Sequence, residues 1–326
     1  MANYGIPYMG SKNTIATWVV DHIPACDNLY ELFAGGCAVT HAAILSGKFK
    51  DIYANDWEET VQLFVNAIKG KYHDESRWIS RETFVQNKAT DLYIRYCWSF
   101  FAKGVSYSYN KQVEPYFEAL HYLLFFNDNS KFKDLGLEVP LMEFDTIEER
   151  YTAWRNFCTK YPSIKKNFES VTNDNVIHRM PTLEHFSRML RLKALEDIKP
   201  YFKEENFHVL QGDYRDVEIK EDSICYLDPP YEDTSGYVSG AFNSKEFYQY
   251  IHESLVPKTK LVIVSSYEVS DPDLVCIARI KKMQNMKTIH SELTTEDRFR
   301  DECLYIPREQ VDWYKKNCII DWTGDL

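Results

Sequence analysis

The chain has 326 residues, which is enough for one large domain or two ordinary ones around a substantial core. Its 44% hydrophobic residues exclude a disordered protein, and its net charge of −11 argues against a uniformly basic nucleic-acid binder. The eight cysteines lack zinc-type spacing, and no run reaches the ~18–20 apolar residues of a membrane span. We therefore expect a reduced, soluble, intracellular protein without a structural metal.

The first 70 residues alternate between strand-like and helix-like patterns. Residues 28–33 and 51–55 are short apolar runs that predict strands. Helical periodicity follows each of them, over residues 37–45 and 57–68. A strand, a helix and a second strand in this order predict a parallel βαβ unit.

The same alternation returns near the end of the chain. A predicted helix over residues 242–255 has Asn243 or Ser244 as its N-cap. Residues 287–291 and 303–306 predict an antiparallel hairpin at the edge of the sheet. Three further predicted strands cover residues 207–210, 223–227 and 260–265.

The residues between these two regions have a different character. Residues 71–205 are aromatic and charged, show helical spacing at residues 187–195, and have no strong parallel-strand pattern. We therefore predict an α/β fold. Residues 1–70 and 206–326 form one Rossmann-like, doubly wound domain, and residues 71–205 form a mostly helical insertion.

A glycine turn follows the first predicted strand in Glu31-Leu-Phe-Ala-Gly35-Gly36. Such a turn lets the backbone approach a ligand, and an acidic residue after the next strand, Asp56, can accept hydrogen bonds from ribose hydroxyls. The pattern favours a nucleoside cofactor, although an ordinary glycine-containing βα turn has the same sequence features. The pattern is not Gly-x-Gly-x-x-Gly, so it does not predict a dinucleotide.

The most specific motif is Asp228-Pro229-Pro230-Tyr231, which follows the apolar strand of residues 223–227. Two prolines fix φ and remove two backbone donors, which leaves carbonyl groups free to face a ligand. The Asp228 carboxylate and such a carbonyl can accept both hydrogens of an amino group, and Tyr231 offers a flat face to a base. A proline-rich surface turn is the alternative. The motif lies at the carboxyl end of a predicted strand, and this position favours a ligand site over a surface turn.

Together these motifs resemble the Dam-type (D12 class) family of DNA adenine-N6 methyltransferases from phages and bacteria. Further matching segments are Tyr8-Met-Gly10-Ser-Lys12, Gln211-Gly-Asp213-Tyr214, Asp233 to Tyr237, and Cys97-Trp-Ser99-Phe100 through Gly104 to Tyr107. The chain departs from the family at Cys37, where a third glycine is usual. It departs again at Phe101-Ala102-Lys103, so the sequence specificity of that loop is not transferable.

The resemblance implies transfer of a methyl group from S-adenosylmethionine to N6 of adenine in double-stranded DNA, by base flipping and direct transfer, as a site-specific adenine methyltransferase. It implies catalytic roles for Asp228, Pro229, Pro230 and Tyr231. The cofactor would contact Tyr8, Lys12, Glu31, Phe33, Ala34, Gly35, Gly36, Asp56, Asp213, Tyr214 and Asp228. The substrate would contact Tyr231, Tyr237, Ser99, Tyr107, Lys166 and Arg188.

Charge distribution bears on the DNA hypothesis. Residues 160–193 and 279–287 are locally basic and could contact phosphates despite the acidic total. We expect a monomer or weak dimer in the cytoplasm of a bacterium or a phage-infected cell, without a metal. Three alternatives use the same residues: methylation of cytosine N4, methylation of an RNA adenine, and a non-catalytic DNA-binding relative. A protein amide is a weaker alternative, because the related motif begins with Asn.

Overall fold

The computed structural model describes residues 3–160, 183–231, 242–283 and 299–318. The chain divides into two compact units. The first contains residues 1–6, 10–69 and 195–326, and the second contains residues 7–9 and 70–194. Residues 195–205, which the sequence assigned to the insertion, therefore belong by their contacts to the first unit.

The first unit is built on a sheet with seven strands in its described residues. Their order is β3-β2-β1-β4-β5-β7-β6. The neighbouring pairs from β3 to β5 are parallel, whereas β7 is antiparallel to both β5 and β6. This mixed α/β, mostly parallel sheet is consistent with the methyltransferase fold that the resemblance implies. The strands are β1 Cys26–Glu31, β2 Phe49–Asp56, β3 Phe207–Gln211, β4 Ile224–Leu227, β5 Leu261–Ser266, β6 Leu274–Met283 and β7 Phe299–Pro307.

The central strands are continuous apolar runs because helices cover both faces of such a sheet. All four residues of β4 and all six of β5 are buried. β1 and β2 are exposed or half-buried at their amino ends and fully buried at their carboxyl ends. The buried part of the sheet therefore ends at the edge where Glu31 and Asp56 end their strands and Asp228 follows β4.

Three helices of the first unit agree with the predicted elements to within a few residues, and two others, at residues 16–21 and 311–317, were not predicted. The helix predicted over residues 242–255 begins after its N-cap Asn243, whose side chain accepts a hydrogen bond from the Glu246 amide at 3.3 Å. It continues as a single π-helical turn over Ile251–Leu255. The helices are α1 Ala16–Asp21, α2 Ala38–Ser46, α3 Thr60–Ile68, α10 Ser244–Tyr250 and α11 Val311–Asn317.

The predicted pairing of the hairpin at the end of the chain stays a prediction, because one of its two strands is not among the described residues. β7 contains residues 303–306 as predicted, but it pairs with β6, whereas residues 287–291 lie outside the described residues. A register shift between Cys276 and Ala278 interrupts the alternation of side chains along β6. Such a bulge breaks the period of two by which a strand is recognised in a sequence.

The second unit is helical in its described residues and has an aromatic core. Trp98 stacks on His185 with ring centroids 3.9 Å apart, and His185 bonds to Tyr109 and His121 at 2.7 and 3.0 Å. Burial lowers the pKa of His121 to about 4, so this histidine is neutral and structural. The helices are α4 Arg81–Asn87, α5 Leu92–Cys97, α6 Glu114–Phe126, α7 Ser130–Asp134, α8 Ile147–Lys160 and α9 Glu184–Ala194.

No helix in the described segments is both long and apolar enough to cross a membrane.

Candidate active site

Three acidic residues meet at one edge of the sheet because they end neighbouring parallel strands. Glu31 is the last residue of β1 and pairs in register with Ala54 of β2 and Tyr226 of β4. Asp56 ends β2, and Asp228 follows β4 directly. The carboxyl ends of parallel strands are where open α/β sheets bind ligands.

The glycine turn after β1 is held by Asp56. The Asp56 carboxylate accepts hydrogen bonds from the Gly35 amide at 2.7 Å and from the Glu58 amide at 2.9 Å. Gly35 has a φ of +48°, and Cys37 has a φ of +57°, both in the left-handed region that favours glycine. Cys37 therefore adopts a backbone conformation that is strained for a residue with a Cβ atom.

The N-terminal segment lies directly on this turn. The Ile6 amide donates to the Gly36 carbonyl at 2.8 Å, and the Gly5 amide donates to His41 Nδ1 at 3.0 Å. A Cβ atom at Gly5 would lie 2.1 Å from the Gly36 oxygen, so only glycine permits this approach. This contact fixes the start of the segment that carries Lys12.

Burial changes the acidity of the two carboxyl groups beside the turn. Burial raises the pKa of Glu31 to about 8, against an opposing hydrogen bond from the Thr40 hydroxyl. Burial likewise raises the pKa of Asp56 to about 6, although hydrogen bonds from the Glu58 and Gly35 amides lower it. Each carboxyl group would be stabilised in its ionised form by a ligand that brings a positive charge or hydroxyl donors.

Asp228 is bound by a lysine from the other end of the chain. The Lys12 ammonium donates to Asp228 Oδ1 and to the Tyr231 hydroxyl oxygen, both at 2.6 Å. Both contacts to Asp228 involve Oδ1, since the Tyr231 hydroxyl lies 3.3 Å from the same atom. Burial raises the pKa of Asp228, and Lys12 opposes that shift. The site thus contains a half-buried carboxylate whose Oδ2 is contacted by neither Lys12 nor Tyr231.

The family comparison is decisive here. The profile of the D12 class N6 adenine-specific DNA methyltransferases matches residues 8–260, which include all three acidic residues and the Asp-Pro-Pro-Tyr motif. The chain belongs to this family. A search of curated proteins gave no significant match.

Two aromatic residues and Asp213 of this methyltransferase lie near one another at the same edge. The rings of Phe33 and Tyr214 are 4.9 Å apart and half-buried. The Asp213 carboxylate accepts from the Arg215 amide at 2.9 Å and pairs with its guanidinium at 2.6 Å. Arg215 also holds the pKa of Asp213 below its usual range. Tyr8 is also a predicted cofactor contact, but by its own contacts it belongs to the second unit and not to the first.

Glu302 is a site residue that the sequence analysis missed. It lies on β7, is fully buried, and accepts hydrogen bonds from the Tyr231 hydroxyl and, at 2.9 Å, from Ser265. Its carboxylate also lies 3.5 Å from Lys12 Nζ and 3.7 Å from Lys282 Nζ. In the sequence Glu302 is the last of three consecutive charged residues that precede an apolar run, so nothing in the pattern distinguishes it from the exposed Asp301.

The residues of the second unit that were predicted to contact DNA form hydrogen bonds with other residues of that unit. Ser99 is fully buried and its hydroxyl accepts from the Gly104 amide at 2.8 Å. The buried Tyr107 donates to the Ile79 carbonyl at 2.7 Å. Arg188 donates to the Ser99 carbonyl at 2.6 Å and pairs with Glu184 at 2.7 Å. Direct contact of these residues with DNA stays a prediction.

Two further predicted contacts, Tyr237 and Lys166, lie outside the described residues, as does the continuation of the motif from Asp233. Within the described ranges, no group of three or more His, Cys, Asp or Glu side chains is arranged to hold a metal ion.

Proposed function

We propose that the chain transfers a methyl group from S-adenosylmethionine to N6 of adenine in double-stranded DNA. The observation that carries this proposal is the Asp228 carboxylate, held by Lys12 on Oδ1 beside Pro229, Pro230 and Tyr231 at the carboxyl end of β4. An acceptor fixed in this way is suited to an exocyclic amino group. A cytoplasmic enzyme of a bacterium or a phage-infected cell fits such a substrate.

The residues beside the glycine turn fit the cofactor by their chemistry. S-adenosylmethionine carries an ammonium, a cationic sulfonium and ribose hydroxyls, and it supplies the activated methyl group when bound. Glu31 and Asp56 are buried carboxyl groups whose raised pKa values indicate that they lack sufficient positive charge or donors. Asn55 Oδ1 is also buried without a hydrogen-bond partner among the described residues. Phe33 and Tyr214 would pack on the adenine ring, and Asp213 would accept from it.

The protein's contribution to the chemistry is mainly orientation. Asp228 Oδ2 and the Pro229 carbonyl would each accept one hydrogen of the amino group, which directs the nitrogen lone pair toward the methyl group. Positioning of this kind can lower a barrier by about 7–11 kcal/mol. Flipping the base out of the duplex costs a few kcal/mol, and stacking on Tyr231 would offset part of that cost.

Cofactor affinity should depend on pH through Asp56. Its pKa of about 6 means that the carboxyl group ionises between pH 5 and pH 7, and only the ionised form accepts from two ribose hydroxyls. We expect the dissociation constant of S-adenosylmethionine to fall by about 10-fold over this range, as one lost hydrogen bond to a charged group implies. Calorimetric titration measures it. In Asp56→Asn the affinity should be weaker and its rise between pH 5 and pH 7 smaller, since Glu31 alone would then titrate, and an unchanged pH dependence would contradict the assignment.

The second unit is proposed to recognise the target sequence, and Arg188 to fix its loop of residues 98–108. Arg188 donates to the carbonyls of Cys97 and Ser99 on one side of the loop and lies 3.3 Å from the Ser108 hydroxyl on the other. In Arg188→Met we expect the KM for DNA to rise by about 10-fold, from the loss of a charge-assisted hydrogen bond. The cofactor dissociation constant should not change. Arg155→Met, at an exposed site, is the control.

The substrate class is tested by comparing methyl transfer to DNA and to RNA. Purified protein is incubated with methyl-labelled S-adenosylmethionine and with duplex DNA or RNA of the same sequence, and label in each polymer is counted. We expect label in duplex DNA. Label in RNA alone would replace the substrate in this proposal, and cofactor binding without label in either polymer would indicate a non-catalytic relative.

A further inference from the structure

Four charged side chains, Asp228 among them, form a cluster that is buried or half-buried. Lys12 comes from the N-terminal segment, Lys282 from β6, Glu302 from β7, and Asp228 from the end of β4. Lys12 is 5% exposed and Glu302 is fully buried. The cluster therefore contains two positive and two negative charges. Its net charge is zero, and the loss of any single member leaves one charge without compensation.

The register between β6 and β7 brings two members of this cluster together, Lys282 and Glu302. Glu302 is paired in register with Ile280, so Lys282 is its diagonal neighbour on the same face of the antiparallel pair. Their side chains approach to 3.7 Å. β7 in turn pairs with β5, which carries the Ser265 hydroxyl that donates to Glu302. Glu302 is thus held by the sheet itself.

Glu302 contacts both groups that contact Asp228. Its Oε1 accepts from the Tyr231 hydroxyl and lies 3.5 Å from Lys12 Nζ. The Tyr231 ring also makes an edge-to-face contact with the Tyr267 ring, and the two ring centroids are 4.6 Å apart. The hydroxyl anchor and the Tyr267 contact together restrict the plane of the Tyr231 ring.

We propose that Glu302 is a positioning residue for methyl transfer, which holds the Lys12 ammonium and the Tyr231 ring in place around Asp228, with Lys282 as its counter-charge. This inference rests on the proposed role of Asp228. Glu302 acts on the reaction by holding Tyr231 and Lys12 in place. Its negative charge also acts on Asp228.

The cluster also controls the charge on Asp228. Glu302 raises the pKa of Asp228, and Lys282 lowers it. Lys12 and Lys282 themselves hold the pKa of Glu302 below its ordinary value, against the effect of burial. The charged or titratable groups that act on Asp228 or respond to it are Lys12, Lys282, Glu302, Glu31, Asp56, Tyr226 and Tyr231.

Two variants of this cluster should therefore shift the titration of Asp228 in opposite directions. Glu302→Gln removes a negative charge and should lower the pKa of Asp228. Lys282→Met removes a positive charge and should raise it. A merely structural role for the two residues would not give opposite shifts, because loss of packing acts in one direction only. Glu309→Gln, at an exposed position just after β7, is the matched control.

The experiment measures the carboxyl ¹³C shift of Asp228 against pH in the full chain labelled on aspartate, with the signal assigned by Asp228→Asn. The same proteins are assayed for transfer to DNA. In Glu302→Gln we expect kcat to fall by about 10- to 100-fold, as misplacement of a catalytic group does, with the KM for DNA little changed. The acid limb of the rate profile should follow the NMR shift in both variants.

A double variant tests the route through the Tyr231 hydroxyl. Tyr231→Phe keeps the ring and removes the anchor, so Glu302→Gln/Tyr231→Phe should lose less activity than the product of the two single losses. Independent losses, or equal titration of Asp228 in all proteins, would overturn the proposal while wild-type transfer persists. Failure of the proposed function would be distinguishable from failure of the Glu302 proposal, because the wild type itself would then transfer no methyl group.

Discussion

Replacing Asp228 by alanine is expected to reduce methyl transfer by at least about 10³-fold, the scale of losing a fixed group that contacts the reacting centre. The variant has no carboxylate to accept from the target amino group, whereas Lys12 keeps Glu302 as a buried partner at 3.5 Å. The fold should therefore persist. Initial rates with labelled cofactor and a thermal unfolding curve measure the two quantities together.

The matched control is Asp312→Ala, which removes an exposed carboxylate at the start of α11. It should transfer methyl groups at the wild-type rate. Measurable turnover by Asp228→Ala would show that another group holds the amino nitrogen. Unfolding of Asp228→Ala at assay temperature would contradict the expectation that Lys12 remains paired.

Replacing Lys12 by methionine should give the largest loss of stability in the site. Lys12 is 5% exposed and neutralises both Asp228 and Glu302, so its removal leaves one half-buried and one fully buried carboxylate beside Lys282 alone. Removing one partner of a buried ion pair lowers the free energy of unfolding by about 3–5 kcal/mol. Urea denaturation at neutral pH measures this change, with the exposed Lys245→Met as the control.

The deficit of Lys12→Met should shrink as the pH falls. Lys12 lowers the pKa of Asp228, so the variant raises that pKa further above its unfolded value of about 3.9. A carboxyl group with a raised folded pKa costs stability above that pKa, and the cost disappears as the pH falls toward the unfolded value. Denaturation at pH 5 should therefore show a smaller difference from the wild type than at pH 7.5. An equal difference at both pH values would contradict the ion-pair account.

The parallel half of the fold was predictable because its signals are local. β1, β2 and β4 each contain a short apolar run before an acidic residue with chemical meaning, and the glycines after β1 and the prolines after β4 mark the turns. Glu31, Asp56 and Asp228 could therefore be selected from the sequence. Their common edge follows from strand direction alone.

The rest of the site was not predictable because its contacts join distant parts of the chain. Lys12 and Asp228 are 216 residues apart, and Tyr231 and Glu302 are 71 residues apart. Glu302 reaches the site because β7 runs antiparallel beside β5, a pairing that no local pattern in the sequence indicates. The pairing of Arg188 with loop carbonyls is hidden for the same reason, since a basic residue near a recognition motif has the same sequence signal whether it faces DNA or its own backbone.

The most direct test of the account is the identity of the methylated nucleoside. Unmethylated duplex DNA is incubated with S-adenosylmethionine and wild-type protein or Asp228→Ala, digested to nucleosides, and separated by liquid chromatography with mass detection. The account predicts N6-methyladenine with the wild type and none with the variant. N4-methylcytosine, or no methylated nucleoside despite calorimetric binding of the cofactor, would contradict it.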